Sequence, residues 1–83
     1  MTIAEQITER LTRAFSPSEL VVVNESHRHA GHGGDDGSGE SHFAIRIRAA
    51  ALADLGRLAR HRAVQTALGD LNRRVHAIAL DIG

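Results

Sequence analysis

With 83 residues the chain has room for one hydrophobic core of modest stability, so a single domain over residues 1–83 is expected. It contains no cysteine, tryptophan or tyrosine, and its two aromatics are Phe15 and Phe43. That excludes a disulfide framework, a thiol nucleophile, a CxxC redox motif and any cysteine-built metal site from this chain alone, and predicts a small aliphatic core. Ten basic residues balance ten acidic ones, which removes the whole-molecule attraction to nucleic acid or anionic lipid that a basic protein carries.

The first element opens on Thr2-Ile3-Ala4-Glu5, a capping-box sequence, and continues with Ile3, Ile7, Leu11 and Phe15 four residues apart, which predicts an amphipathic helix. Pro17 ends it, because the ring biases Ser16 away from helical geometry. Leu20 to Val23 reads as a buried strand. Phe43, Ile45 and Ile47 alternate with His42, Ala44, Arg46 and Arg48 to give a second strand with one apolar and one wet face. Between the two strands lie roughly 17 residues, 25–41, with five glycines and three histidines. Loops of that length are usually functional or disordered, and a flexible segment is expected. After an Ala-rich stretch, Leu55 and Leu58 suggest a short helix. Val64, Leu68 and Leu71 mark a longer one beginning around Arg60-His61-Arg62, and Val75 to Leu80 forms a third strand. The order helix, strand, strand, helix, helix, strand predicts an α+β layer, with helices on one face of a three-stranded sheet.

Charge is unevenly spread. Residues 24–41 carry Glu25, Asp35, Asp36 and Glu40 against Arg28, and residues 57–83 carry five arginines against Asp70 and Asp81. Every basic residue is arginine, a bias of the kind GC-rich bacterial coding produces. Gly31, Gly33 and Gly34 do not make a phosphate loop, since no Lys-Ser/Thr pair follows them and the segment leads into a strand. No nucleophile stands with an evident base, and no acid–base pair or cofactor fingerprint is present, so the chain is read as non-enzymatic.

Four short segments, Asn24-Glu25-Ser26, Ser41-His42-Phe43, Arg60-His61-Arg62 and Val75-His76-Ala77, occur in the order and at the spacings found in the BolA family, which this chain resembles over residues 3–80. The resemblance implies a fold similar to the second class of KH domain, αββααβ with a mixed sheet. Family members usually carry a Phe-Glu-Gly-like turn after the second strand, where this chain has Ala51-Leu52-Ala53-Asp54. That departure puts the local packing in question, not the fold.

The resemblance further implies a partner, a monothiol glutaredoxin, with which the chain would share a bridging [2Fe-2S] cluster completed by a glutathione thiol. It implies His29 and His76 as this chain's ligands, and no cofactor in the isolated protein. Imidazole is a reasonable ligand, because histidine in place of cysteine on one iron of a two-iron centre is tolerated. On the residues alone a solvated loop histidine is the plainer reading of His29. His76 shares a strand face with Ile78 and Leu80 and is equally a structural histidine at the edge of the core. His42 is a spare ligand candidate. His27, His29 and His32, with Asp35 and Asp36 behind them, form a chelate that would take nickel, zinc or copper adventitiously. His61, between two arginines, reads as a structural or surface residue.

Arg57, Arg60, His61 and Arg62 make a candidate partner-docking or glutathione-facing surface, although a solvated helix face is the plainer reading. The alternative function is nucleic-acid binding and transcriptional regulation through the KH-like fold and this arginine-rich helix start. Against it, no Gly-x-x-Gly loop joins the helices. Without a basic leader or a long apolar run, a cytoplasmic protein is expected, as a monomer or weak homodimer when alone.

Overall fold

The N-terminal capping signal is realised in full in the computed structural model, which describes residues 2–25, 42–75 and 77–83. Thr2 Oγ1 accepts from the Glu5 amide at 3.1 Å, and Glu5 Oε1 accepts from the Thr2 amide at 2.8 Å. Helix α1, Ile3–Phe15, buries Ile3, Ile7 and Leu11 and ends at Ser16, whose left-handed backbone (φ 45°) returns its amide to the Thr12 carbonyl before Pro17.

Three strands follow the expected layout: β1, Glu19–Asn24; β2, His42–Arg48; and β3, Ala77–Ile82. Strand β2 is central, pairing antiparallel with β1 and parallel with β3. A parallel neighbour requires the chain to cross the sheet, and the crossover carries the remaining helices: α2, Ala50–Ala53; α3, Arg57–Leu68; and α4, Leu71–Arg74. They lie on the same face as α1. Phe43, Ile45 and Ile47 from the sheet meet Ile3, Ile7 and Leu11 from α1 and Val64 and Leu68 from α3 in one buried cluster, which Ala49, Leu52, Leu71 and Val75 complete. The core is aliphatic apart from Phe43. Burying each such large side chain contributes roughly 1.5–3 kcal/mol.

The structure corrects three boundaries. The short helix lies at Ala50–Ala53, ahead of Leu55 and Leu58, because Leu52 is the residue that reaches the core, while Leu58 is 62% exposed. The long helix begins at Arg57, capped by Gly56, and stops at Leu68, where Gly69 takes a positive φ of 57°. Leu71 therefore belongs to a separate turn of helix. The last strand runs from Ala77 through Ile82, continuing the inward alternation of Ile78 and Leu80 by one more pair. The expected wet face of β2 also fails at one position: His42 is 8% exposed, since it sits on the central strand with a neighbour on each side. Of the segment expected to be flexible, residues 25–41, all but Glu25 lies outside the described residues.

Two polar clamps fix the helices and the sheet. Arg10 of α1 donates through Nη1 to the Leu68 carbonyl at 2.5 Å and to Asp70 Oδ1 at 2.7 Å, tying α1 to the end of α3. On the open face, Arg46 reaches Glu19 at 3.4 Å and Asp81 at 4.0 Å, and Arg48 reaches Asp81 at 2.9 Å, which laces all three strands. Exposed pairs of this kind contribute at most about 1 kcal/mol each.

Among the described residues, two carboxylates are held below their ordinary titration range. Glu5 is lowered mainly by its hydrogen bonds from the Thr2 backbone and hydroxyl, and Asp70 mainly by its hydrogen bond from Arg10. A depressed folded pKa stabilises the fold above the unfolded value, and that contribution is lost as pH falls through the folded value. Urea unfolding midpoints are therefore expected to hold steady from neutral pH to about 5 and to decline below about pH 4. Asp70→Asn should lose less over that acidic interval than the parent chain does. An equal decline in both would assign the acid sensitivity elsewhere.

Candidate functional site

Both ends of the long inter-strand segment meet at one end of the sheet. The Glu25 amide donates to the His42 carbonyl at 2.8 Å, closing the β1–β2 ladder, and the parallel register sets His42 opposite Ala77. Segment 26–41 thus departs from and returns to the sheet end at which β3 begins, one residue after position 76. Of the two histidines within the described residues, His42 stands at this end and His61 lies on α3. His27, His29, His32 and His76 lie outside the described residues. Among the described residues no group of three or more His, Cys, Asp or Glu side chains is disposed to hold a metal ion.

The predicted contact residues gather further along β3. Arg57, Arg60 and His61 from the first two turns of α3 face Leu80, Asp81 and Ile82 across a cavity of about 300 Å³. A more apolar hollow of about 370 Å³ adjoins it between Arg57, Leu58 and His61. The groove lies along the outer edge of β3, with which nothing among the described residues pairs.

The four predicted contact positions have different duties. Arg60 donates through Nε to the Leu52 and Leu55 carbonyls at 2.9 and 2.8 Å, and through Nη2 to the Ala53 carbonyl at 2.9 Å. These carbonyls lie at and just beyond the end of α2, where Leu52's also accepts from the Leu55 amide at 3.1 Å, so Arg60 closes one helix from the first turn of the next. Asp81 is held by Arg48. Arg57, His61 and Arg62 are exposed, and the two arginines make no ion pair or side-chain hydrogen bond with the described residues. The first turn of α3 holds no acid, so Arg57 opposes the helix dipole, a local cost that stability alone does not explain.

Sequence reasoning found the α3 side of the groove and missed the β3 side. The signal was present in the continued alternation of Ile78, Leu80 and Ile82. The Arg10 and Arg60 clamps had no such signal, since an arginine that closes a distant helix end has no characteristic spacing.

A family described as BolA-like protein matches residues 11–82 of this chain. The chain belongs to the BolA family. An uncharacterized Sinorhizobium sp protein is 46% identical over 83 residues, spanning 98% of this chain and 89% of its own length. The Escherichia coli protein described as a DNA-binding transcriptional regulator, BolA, is 40% identical over 81 residues, spanning 96% and 73%. The structure of BolA1 from Arabidopsis thaliana superposes with a TM-score of 0.80 at 32% identity, covering 95% of this chain and 87% of that one. The BolA resemblance read from the four short segments is thereby established, as is the α+β fold with its mixed three-stranded sheet.

Because Arg60 satisfies three carbonyls, Arg60→Met should lower unfolding stability by about 1–3 kcal/mol, whereas Arg57→Met should change it by less than about 0.5 kcal/mol. Urea titration of the two variants separates the structural arginine from the exposed one. Equal losses would contradict the division.

Proposed function

We propose that this BolA-family chain acts in the cytoplasm as a non-enzymatic partner of a monothiol glutaredoxin, co-ligating a bridging [2Fe-2S] cluster in iron-sulfur trafficking or iron regulation. The observation that supports it best is the meeting of Glu25, His42 and Ala77 at one sheet end, which tethers the histidine-rich segment and position 76 to the same place. Such a site draws one ligand from a long segment and one from the start of a strand.

The donor set suits a shared centre better than a private one. With no cysteine in the chain, thiolates have to come from the partner and its glutathione, leaving imidazole as this chain's contribution. His29 and His76 are the residues that would hold the cluster, with His42 as the spare. His42 is nearly buried, which makes a structural part in closing the sheet end its readier role. When bound, the cluster supplies the labile iron-sulfur chemistry, and this chain supplies nitrogen ligands at a fixed sheet end.

The second reading, nucleic-acid binding, is favoured by the exposed Arg57 and Arg62 and by what the E. coli relative is described as doing. Against it, neither phenylalanine is open for a base to stack on, since Phe43 is 2% exposed and Phe15 is half-buried.

Co-expression with a monothiol glutaredoxin should give a coloured complex whose visible spectrum is perturbed by His29→Ala and by His76→Ala to a similar degree. Replacing His27 and His32 together should leave that spectrum largely intact and weaken nickel or zinc binding. A spectrum indifferent to His76 but destroyed by loss of His27 or His32 would refute the ligand assignment. Binding to DNA that falls steeply with salt, with no coloured complex, would support the second reading instead.

A further inference from the structure

The outer edge of β3 is an open hydrogen-bonding template beside a cationic groove, and its orientation follows from one bond. The Gly83 amide donates to the Ile47 carbonyl at 3.2 Å, so Gly83 and the residues at even spacing before it, Asp81, Ala79 and Ala77, turn their backbone groups toward β2. Glu25 and Ser18 bond to the carbonyls of His42 and Arg48, which places the even-numbered residues of β2 toward β1 and leaves its odd-numbered ones for β3, in agreement. Ile78, Leu80 and Ile82 therefore direct their N–H and C=O groups outward, where no described strand receives them.

Natural sheets blunt such edges with lysine, proline or a bulge. The segment Ala77-Ile78-Ala79-Leu80-Asp81-Ile82 has none of these, and its one charge is held inward by Arg48. Beside β3, the groove walled by Arg57, His61, Leu80 and Ile82 runs along the helix side, while Ala77 and Ala79 lie exposed on the other side.

We propose that this edge captures an extended peptide segment of a partner protein by strand addition, the segment alternating acidic residues on the helix side with small or β-branched apolar residues on the open side. Backbone pairing with Ile78, Leu80 and Ile82 supplies affinity, and Arg57 with His61 selects the acids. Charge excludes a second copy as the occupant. Joining two β3 edges antiparallel into one continuous sheet places the two-fold axis normal to the sheet, so that the Arg57 guanidinium of each copy faces that of the other across the axis. Single-stranded nucleic acid, which carries a phosphate at every residue, is disfavoured by a chain of zero formal net charge with few cations at this groove, and the test below distinguishes it. The proposal is independent of the cluster reading, because it concerns the edge leading away from the sheet end that carries the histidines.

The test uses the full chain, without metal or glutaredoxin, and a short fluorescein-labelled peptide alternating glutamate with valine, followed by anisotropy and by amide exchange. Binding should slow exchange at the Ile78, Leu80 and Ile82 amides. The double variant Arg57→Glu, His61→Glu, confirmed folded by circular dichroism, should weaken binding by about tenfold or more. A peptide N-methylated at alternate residues, which cannot pair with the edge, should lose binding to a similar degree. The proposal is overturned if the methylated peptide binds as well as the parent or a lysine-for-glutamate peptide binds better. It is equally overturned if oligothymidylate displaces the peptide and protects those amides, or if protein concentration alone protects them through self-pairing.

Discussion

The parallel pairing of β3 with β2 is the constraint on which the rest of the structure depends. Antiparallel strands can be joined by a short turn, but a parallel neighbour obliges the chain to cross the sheet, and here that crossing lays α2, α3 and α4 beside α1 over the apolar faces of Phe43, Ile45 and Ile47. A chain this short buries too little to spare any of these layers. The arginine clamps act on the same crossover: Arg60 closes α2 onto α3, and Arg10 closes α3 onto α1.

The register of that pairing also gives β3 two ends with different surroundings. Its start, opposite His42, adjoins both termini of the histidine-rich segment. Its far end, at Leu80 to Ile82, forms one wall of the groove whose other wall is the first turns of α3. Five residues at about 3.3 Å each separate the ends of the strand. On the two proposals made above, one strand would serve a metal-ligating end and a docking edge without asking either to overlap the other. The cationic start of α3, unfavourable for the helix itself, makes sense as part of the second.

The architecture was legible because its elements carry strong periodic signals. Ile3, Ile7 and Leu11 gave α1 and Phe43, Ile45 and Ile47 gave β2, and both are borne out in the structure. What the sequence concealed is decided by distant contacts. Leu52 reaches the core and Leu58 does not, a difference set by where the crossover lands, and an Ala-rich stretch offers no period from which to read it. Gly69 ends α3 before Leu71, although the spacing of Val64, Leu68 and Leu71 continues unbroken across it. The candidate site was half legible: Arg57, His61 and Arg62 stood out by charge, whereas the role of Arg60 as a closure for α2 depends on three carbonyls that only folding brings to it.

The central claim is that imidazoles at the loop end of this sheet complete a cluster shared with a glutaredoxin. Labelling the histidines of this chain alone with nitrogen-15, assembling the complex and reducing the cluster would allow pulsed electron paramagnetic resonance to detect ligand nitrogens directly. The account predicts hyperfine couplings from two labelled imidazoles on the reduced centre. A paramagnetic cluster complex with no coupling to any nitrogen-15 of this chain would contradict it.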